Sequence, residues 1–206
     1  MEKLIIYAVV SYLIGSMNPA AVFGRIKNKD LRRAGTGNLG ATNAHLVLGR
    51  AYGAAVMLID MGKGFICTRL GASVSAITPA SGMITGTFAV VGHIFPFYMG
   101  FRGGKGLAAF GGMVLAFDPY IFAILLPVCI GLMLLTDRAV TMPYAGAVLF
   151  PIACAAFGYG IRCTLFAAAA GALVAARNFG NLKKAAEGRD TRIREYLKGT
   201  KPPNRF

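Results

Sequence analysis

From Leu4 to Ala176 the chain is a succession of apolar runs joined by short polar stretches, and no polar segment long enough for a soluble domain interrupts them. A helix that crosses a bilayer needs about 20 mostly apolar residues, because hydrocarbon leaves backbone polar groups no partner outside the helix. Seven segments meet that demand approximately: 4–23, 46–68, 75–96, 107–117, 119–135, 142–157 and 161–176. The run from 107 to 135 is long enough for one tilted helix or two short ones. Asp118-Pro119 favours a break, since proline removes a backbone donor and pushes the preceding residue out of helical geometry. The first run follows Lys3 as a signal peptide would, but 15–19 lacks a small-residue cleavage site and apolar sequence resumes at once, which predicts a retained helix. The expected fold is an all-α integral membrane protein, a single membrane-embedded domain over 1–206.

Charge sets the orientation. Only 15% of residues are charged, against about a quarter in soluble domains, and 22 Lys and Arg face 8 Asp and Glu. A net charge of +14 carried by so few residues must be localised. With seven spans, the loops 24–45, 97–106 and 136–141 share one side with the tail from 177. That side holds Arg25, Lys27, Lys29, Arg32, Arg33, Arg102, Lys105, Arg138 and the basic tail, whereas the other keeps Lys3, Arg69 and Arg162. The positive-inside rule makes the crowded side cytoplasmic, with the N-terminus outside. Most of these cations are explained by topology and lipid headgroups, and no nucleic-acid partner is expected.

Two cytoplasmic loops differ from ordinary connectors. Ala34-Gly-Thr-Gly-Asn-Leu-Gly-Ala-Thr-Asn43 and Gly100-Phe-Arg-Gly-Gly-Lys-Gly106 combine glycines with hydroxyl, amide and cationic side chains. Exposed backbone N–H groups beside such donors hold phosphate without a metal. Gly35-Thr-Gly-Asn-Leu-Gly40 fits a dinucleotide fingerprint with Asp60 downstream, but a charged loop, not a strand, precedes it. Cys67, Cys129, Cys154 and Cys163 have no metal-ligand spacing, so neither metal nor other cofactor is expected. Asp60 and Lys63, three apart within an apolar run, read as a paired charge. His93 reads as a buried, hydrogen-bonded imidazole or a general base. Gly49-x-x-x-Gly53 and Gly82-x-x-x-Gly86 read as packing faces. A third polar cluster, Arg177-Asn-Phe-Gly-Asn-Leu-Lys-Lys184, opens the tail.

In order along the chain, Ser11-Tyr-Leu-Ile-Gly-Ser16 ahead of Pro19, the 35–43 loop, Asp60-Met-Gly-Lys-Gly64, the segment 92–106, and Asn181-Leu-Lys-Lys before Gly188-Arg-Asp-Thr-Arg192 resemble the bacterial acyl-phosphate:glycerol-3-phosphate acyltransferases. The resemblance covers nearly the whole chain. It implies a seven-helix enzyme of the bacterial inner membrane that moves an acyl group from acyl phosphate to the 1-hydroxyl of glycerol 3-phosphate, giving lysophosphatidate and phosphate. By that similarity Thr36, Asn38, Thr42 and Asn43 would hold phosphate and glycerol hydroxyls, with Gly37, Gly40, Arg50 and Arg102 in the binding surface. Lys105 and the N–H groups of Gly103 and Gly104 would stabilise developing charge, and Asn181 would complete the wall. His93 or a substrate phosphate oxygen would serve as base. Neither histidine begins an H-x-x-x-x-D box, which disfavours a thioester-using acyltransferase. A small transporter or flippase for an anionic lipid is the main alternative. It requires polar residues through both leaflets and an inverted repeat, and neither is evident. A related acyltransferase with another acceptor is the other alternative.

Overall fold

The computed structural model describes residues 2–74, 79–189 and 192–194, and among them every regular element is helical. The chain forms α1 (Glu2–Ser16), α2 (Pro19–Ile26), α3 (Ala41–Leu48), α4 (Arg50–Val74), α5 (Ala80–Ile94), a single 3-10 turn (Phe97–Met99), α6 (Leu107–Phe117), α7 (Pro119–Thr136), α8 (Thr141–Ala156), α9 (Gly160–Arg177) and α10 (Phe179–Ala186). Four stretches are long and apolar enough to cross a membrane: Glu2–Ile26, Ala80–Met99, Pro119–Thr136 and Gly160–Arg177. Leu107–Phe117 and Thr141–Ala156 are shorter apolar helices. α4 has the length but carries Asp60 and Lys63 in its middle.

Several expected boundaries move for identifiable reasons. The first run is two helices, because Asn18 turns the chain in extended geometry and its side-chain oxygen caps Ala21 N–H at 2.8 Å. The second run starts at Arg50 rather than 46. Gly49, at φ +104°, ends α3 in a turn that a side chain would strain, whereas Gly53 packs on His45 of α3, so of the expected pair only Gly53 is a packing contact. The expected start of the third run, at 75, lies outside the described residues. The run from 107 to 135 is broken at Asp118, whose carboxylate accepts from Tyr120 N–H at 2.7 Å and Ile121 N–H at 3.1 Å. α6 is consequently 11 residues, about 16 Å, half of a bilayer's hydrocarbon.

Helices in lipid gain nothing from hiding apolar surface from water, so they associate where small residues let backbones approach. α5 is the central element, 72% buried over its apolar window, and its buried face is mostly Gly, Ala, Ser and Thr. A Cβ on Gly92 would sit 2.1 Å from Tyr12 O, and one on Gly15 2.2 Å from Ala89 O, so α1 and α5 cross with glycine on both sides. Gly86 lies against Thr68 and Met113 and Gly82 against the Thr68 carbonyl, which bears out that pair as a packing face. α4 and α6 meet in the same way at Gly64 and Gly112. Larger side chains fill the space among α5 to α9, where Phe150 receives the edges of Phe110 and Phe117 at 5.7 and 6.0 Å.

Neighbouring glycines in α6 separate packing from propensity. A Cβ at position 112 would lie 1.8 Å from Met61 O, whereas one at 111 meets nothing within 4 Å. Gly112→Ala should therefore destabilise the purified protein in detergent by about 1–3 kcal/mol, the cost of overpacking a tight contact. Gly111→Ala should leave the thermal midpoint unchanged or slightly raised. Equal midpoints for the two variants would mean that α4 and α6 do not cross this closely.

Candidate functional site

The two glycine-rich loops and the start of the tail meet at one end of the bundle. Segment 95–106 folds back over the end of α5, as Gly103 N–H donates to Ile94 O at 3.0 Å and Gly104 N–H to His93 O at 3.1 Å. Tyr98 Oη donates to Ser16 O and Tyr12 Oη to Phe95 O, both at 2.8 Å, tying the segment to α1. Arg32 reaches across from the first loop, its Nη2 donating to Met99 O at 3.2 Å and Arg102 O at 3.3 Å. Asn18 Nδ2 donates to Leu39 O at 3.2 Å, so the residue that breaks the first helix also ties down the first loop.

In the first loop, several expected ligands turn out to hold the loop itself. Asn43 is fully buried; its Oδ1 accepts from Thr36 N–H at 2.7 Å and its Nδ2 donates to Leu31 O and Ala34 O at 2.8 and 3.1 Å. With its amide fully used, Asn43 braces the turn and is not available to a glycerol hydroxyl. A Cβ on Gly35, at φ +58°, would lie 2.2 Å from Asn43 Oδ1, so only glycine fits there. Gly37 N–H bonds Ala34 O and Asn38 N–H faces Thr36 Oγ1, so these expected backbone donors are occupied too. The N–H groups of Gly103 and Gly104 are likewise spent on Ile94 and His93, which removes them as charge-stabilising donors. The side chains of Thr36 and Thr42 stay exposed and that of Asn38 half-buried, while Gly40 is buried.

Open donors lie one step further along. Gly40 and Gly106 begin α3 and α6 without any side-chain cap, so the first-turn amides at these two loop–helix junctions have no capping side chain. A glycine at each helix-start position could have signalled this.

Lys105 is half-buried, and its Nζ donates to Asn181 Oδ1 at 2.7 Å across 76 residues. That contact brings the expected tail residue to the expected cation. Asn178, in the expected tail cluster but given no role there, is buried and contacts Asn181. Its Nδ2 is committed to Val174 O at 2.8 Å, leaving Oδ1 toward Asn181 Nδ2 at 3.5 Å and orienting the Asn181 amide oxygen toward Lys105. Burial, with like charge from Lys184 and Arg177, pulls the Lys105 ammonium down to about 8.

His93 is 4% exposed. Its Nδ1 lies 3.3 Å from both Asp60 Oδ1 and Lys63 Nζ, and its Nε2 packs on Gly104, where a Cβ would come within 2.2 Å. So placed, the ring props the Lys105 loop from beneath. Asp60 and Lys63 pair at 2.8 Å, as their spacing suggested. Arg50 and Arg102 are exposed, and no described hydrogen bond or ion pair joins either side chain to Lys105. A basic-rimmed cavity of about 590 Å3 opens on the other side of Leu39, lined by Gly24, Arg25, Lys29, Arg32 and Tyr98 among others. Among the described residues no group of three His, Cys, Asp or Glu side chains gathers as a metal site would. Of the motif closing the tail, Asp190 and Thr191 lie outside the described residues.

Three polar segments of a helical membrane protein thus draw cationic and amide side chains together, a setting that favours an anion. The glycerol-3-phosphate acyltransferase family model matches residues 5–188, and the chain belongs to that family. The glycerol-3-phosphate acyltransferase of Aquifex aeolicus (strain VF5) is 31% identical over 195 residues, spanning 93% of this chain and 100% of that one. The enzyme of the same name from Staphylococcus saprophyticus is 39% identical over 141 residues, 65% of this chain and 70% of that one. Among solved structures, the glycerol 3-phosphate form of PlsY (YgiH), an integral membrane glycerol 3-phosphate acyltransferase, superposes with a TM-score of 0.89 at 30% identity, covering 97% of this chain and 100% of that one. Its lysophosphatidic acid form gives 0.84, covering 92% and 95%.

The Lys105 ionisation makes a kinetic prediction. A cation whose proton leaves near pH 8 is charged below that value and neutral above it. Substrate phosphates, with a second pKa of about 6, no longer titrate in that range. If the ammonium is the working form, kcat/KM should be level up to about pH 8 and then fall about tenfold per unit, since that ratio follows the free enzyme. Lys105→Met should lack this limb. A wild-type profile flat to pH 10 would contradict the role.

Proposed function

We propose that this chain, a glycerol-3-phosphate acyltransferase, takes its acyl group from acyl phosphate and delivers it to the 1-hydroxyl of glycerol 3-phosphate, giving lysophosphatidate and inorganic phosphate. The observation that carries the site assignment is the Lys105–Asn181 contact in a corner rich in cations. Acyl phosphate is already activated, so the protein's work is positioning and charge stabilisation. The glycerol oxygen attacks the acyl carbon, the C–O bond to phosphate breaks, and the electron pair leaves with phosphate. Lys105 balances that charge, Asn181 orients Lys105, and Thr36, Asn38 and Thr42 hold polar groups of the substrates. A phosphate oxygen of bound substrate takes the hydroxyl proton. The burial of His93 against Asp60, Lys63 and Gly104 supports that choice of base.

We place the site at the cytoplasmic face of a bacterial inner membrane, in one domain of seven crossings with the N-terminus outside. The charge asymmetry supports this, as do the contacts that gather the basic segments at one end: Arg32 with Met99, Lys105 with Asn181, and Arg138 with Ala185 O at 2.5 Å. α6 is short for a crossing, but most of its surface is buried in protein, where lipid makes no demand on its length. Thiol labelling of Arg138→Cys in intact cells should fail until the membrane is permeabilised; labelling from outside would reverse the orientation.

Purified protein given acyl phosphate and labelled glycerol 3-phosphate should release lysophosphatidate and phosphate, with or without EDTA. Acyl-CoA alone should not support the reaction, and turnover with it would overturn the donor assignment. Folded Lys105→Met should lose about 10²-fold or more in kcat, the scale for removing a preorganised electrostatic group. Near-normal turnover would sink the assignment.

A further inference from the structure

Arg177 ends α9, and the sequence distinguishes it from its basic neighbours in no way. In the fold it is set apart. Its guanidinium carbon lies 5.9 Å from the centroid of the Phe95 ring, and its Nε is buried without a hydrogen-bond partner among the described residues. Leaving a charged donor buried and unsatisfied is costly, and an arginine without an acceptor asks for one. Ion pairs join Arg33 to Asp30, Lys63 and His93 to Asp60, Arg189 to Glu187 and Arg192 to Asp137, and none of these involves Lys105, Arg177 or Lys184. These three cations are nonetheless close enough for Lys184 and Arg177 to weaken the hold of Lys105 on its proton. Like charges gathered at one corner, with no ion pair to a carboxylate among these, favour an anion that arrives.

We propose that Arg177 is a phosphate-binding residue, its Nε–H donating to an oxygen of the same phosphate group that Lys105 holds, with Lys184 at the exposed rim. The proposal rests on the acyl-transfer reading for the identity of the ligand, but not for its chemistry, which is that of a phosphate dianion. Arginine suits the position because its fork presents fixed donors and stays charged where Lys105 begins to lose its proton. The Phe95 ring, 5.9 Å from the guanidinium carbon, gives the fork an aromatic neighbour on one side. Two substrates bring phosphate to this enzyme, the acyl donor and the glycerol acceptor, and kinetics separates them.

The first measurement needs no turnover: thermal stabilisation of the purified protein by inorganic phosphate, which reports binding to the folded state. Wild type should be stabilised, and R177Q should require about tenfold more phosphate for the same shift, the loss expected for one charge-assisted hydrogen bond. In turnover, R177Q should raise one KM by a similar factor: that for acyl phosphate if the site holds the donor, that for glycerol 3-phosphate if it holds the acceptor. Should R177Q fail to fold, R177K keeps the charge and loses the fork, and weaker protection by phosphate is expected from it. Folded R177Q or R177K with unchanged phosphate protection and both KM values unaltered would overturn the proposal, leaving Arg177 a stacking residue. Wild-type protein that is protected by phosphate yet makes no lysophosphatidate would refute the acyl-transfer reading while leaving the phosphate site standing.

Discussion

Everything at the functional end of the molecule is hung on one buried ammonium. Lys63 points from α4 into the bundle, where Asp60 meets it at 2.8 Å and the carbonyls of Gly15 and Met17 accept from it at 3.0 and 2.5 Å. Those carbonyls are free because α1 ends there, broken by Asn18. His93 on α5 closes the cluster at 3.3 Å and supports Gly104. A buried ion pair seldom adds net stability, since desolvation offsets the attraction, but removing one partner strands the other charge. Its value here is registry: α1, α4 and α5 must meet at one height for the ammonium to be satisfied, and that height sets where the Lys105 loop begins.

The small-residue crossings make such registry possible. Because α1, α4, α5 and α6 touch backbone to backbone at Gly15, Gly92, Gly64 and Gly112, their loops start from closely fixed positions. The loops then complete themselves with internal hydrogen bonds. Asn43 spends its amide on the first loop, and Gly103 and Gly104 spend their N–H groups on the end of α5. What stays open toward a ligand is side chains and the uncapped starts of α3 and α6, so the glycines of both motifs serve shape more than donation.

The electrostatics follow from that construction. Burial, and after it the like charge of Lys184 and Arg177, lowers the proton affinity of Lys105, and cations held close together favour an incoming anion.

Much of this was legible in the chain. Apolar runs with too few charges dictated a helical membrane protein, because only helices satisfy their own backbone within a short segment. The crowding of Lys and Arg pointed to one functional face. The ordered motifs pointed to the family, and Asp118-Pro119 to the break between α6 and α7. Residue identity at 36, 43, 103, 104 and 105 singled out two loops that the fold brings to one end, but not which of their groups are spent on internal hydrogen bonds. That depends on which hydrogen bonds each loop closes first, a matter of three-dimensional distance that spacing along the chain does not encode. So the sequence determined the class, the loops and the pairing of Asp60 with Lys63, three residues apart on one helix. Only the tertiary structure decided that Asn43 is a brace, that His93 lies beneath the site, and that Arg177 and Asn178 stand beside Lys105, because these relations join residues up to 76 positions apart through helix packing.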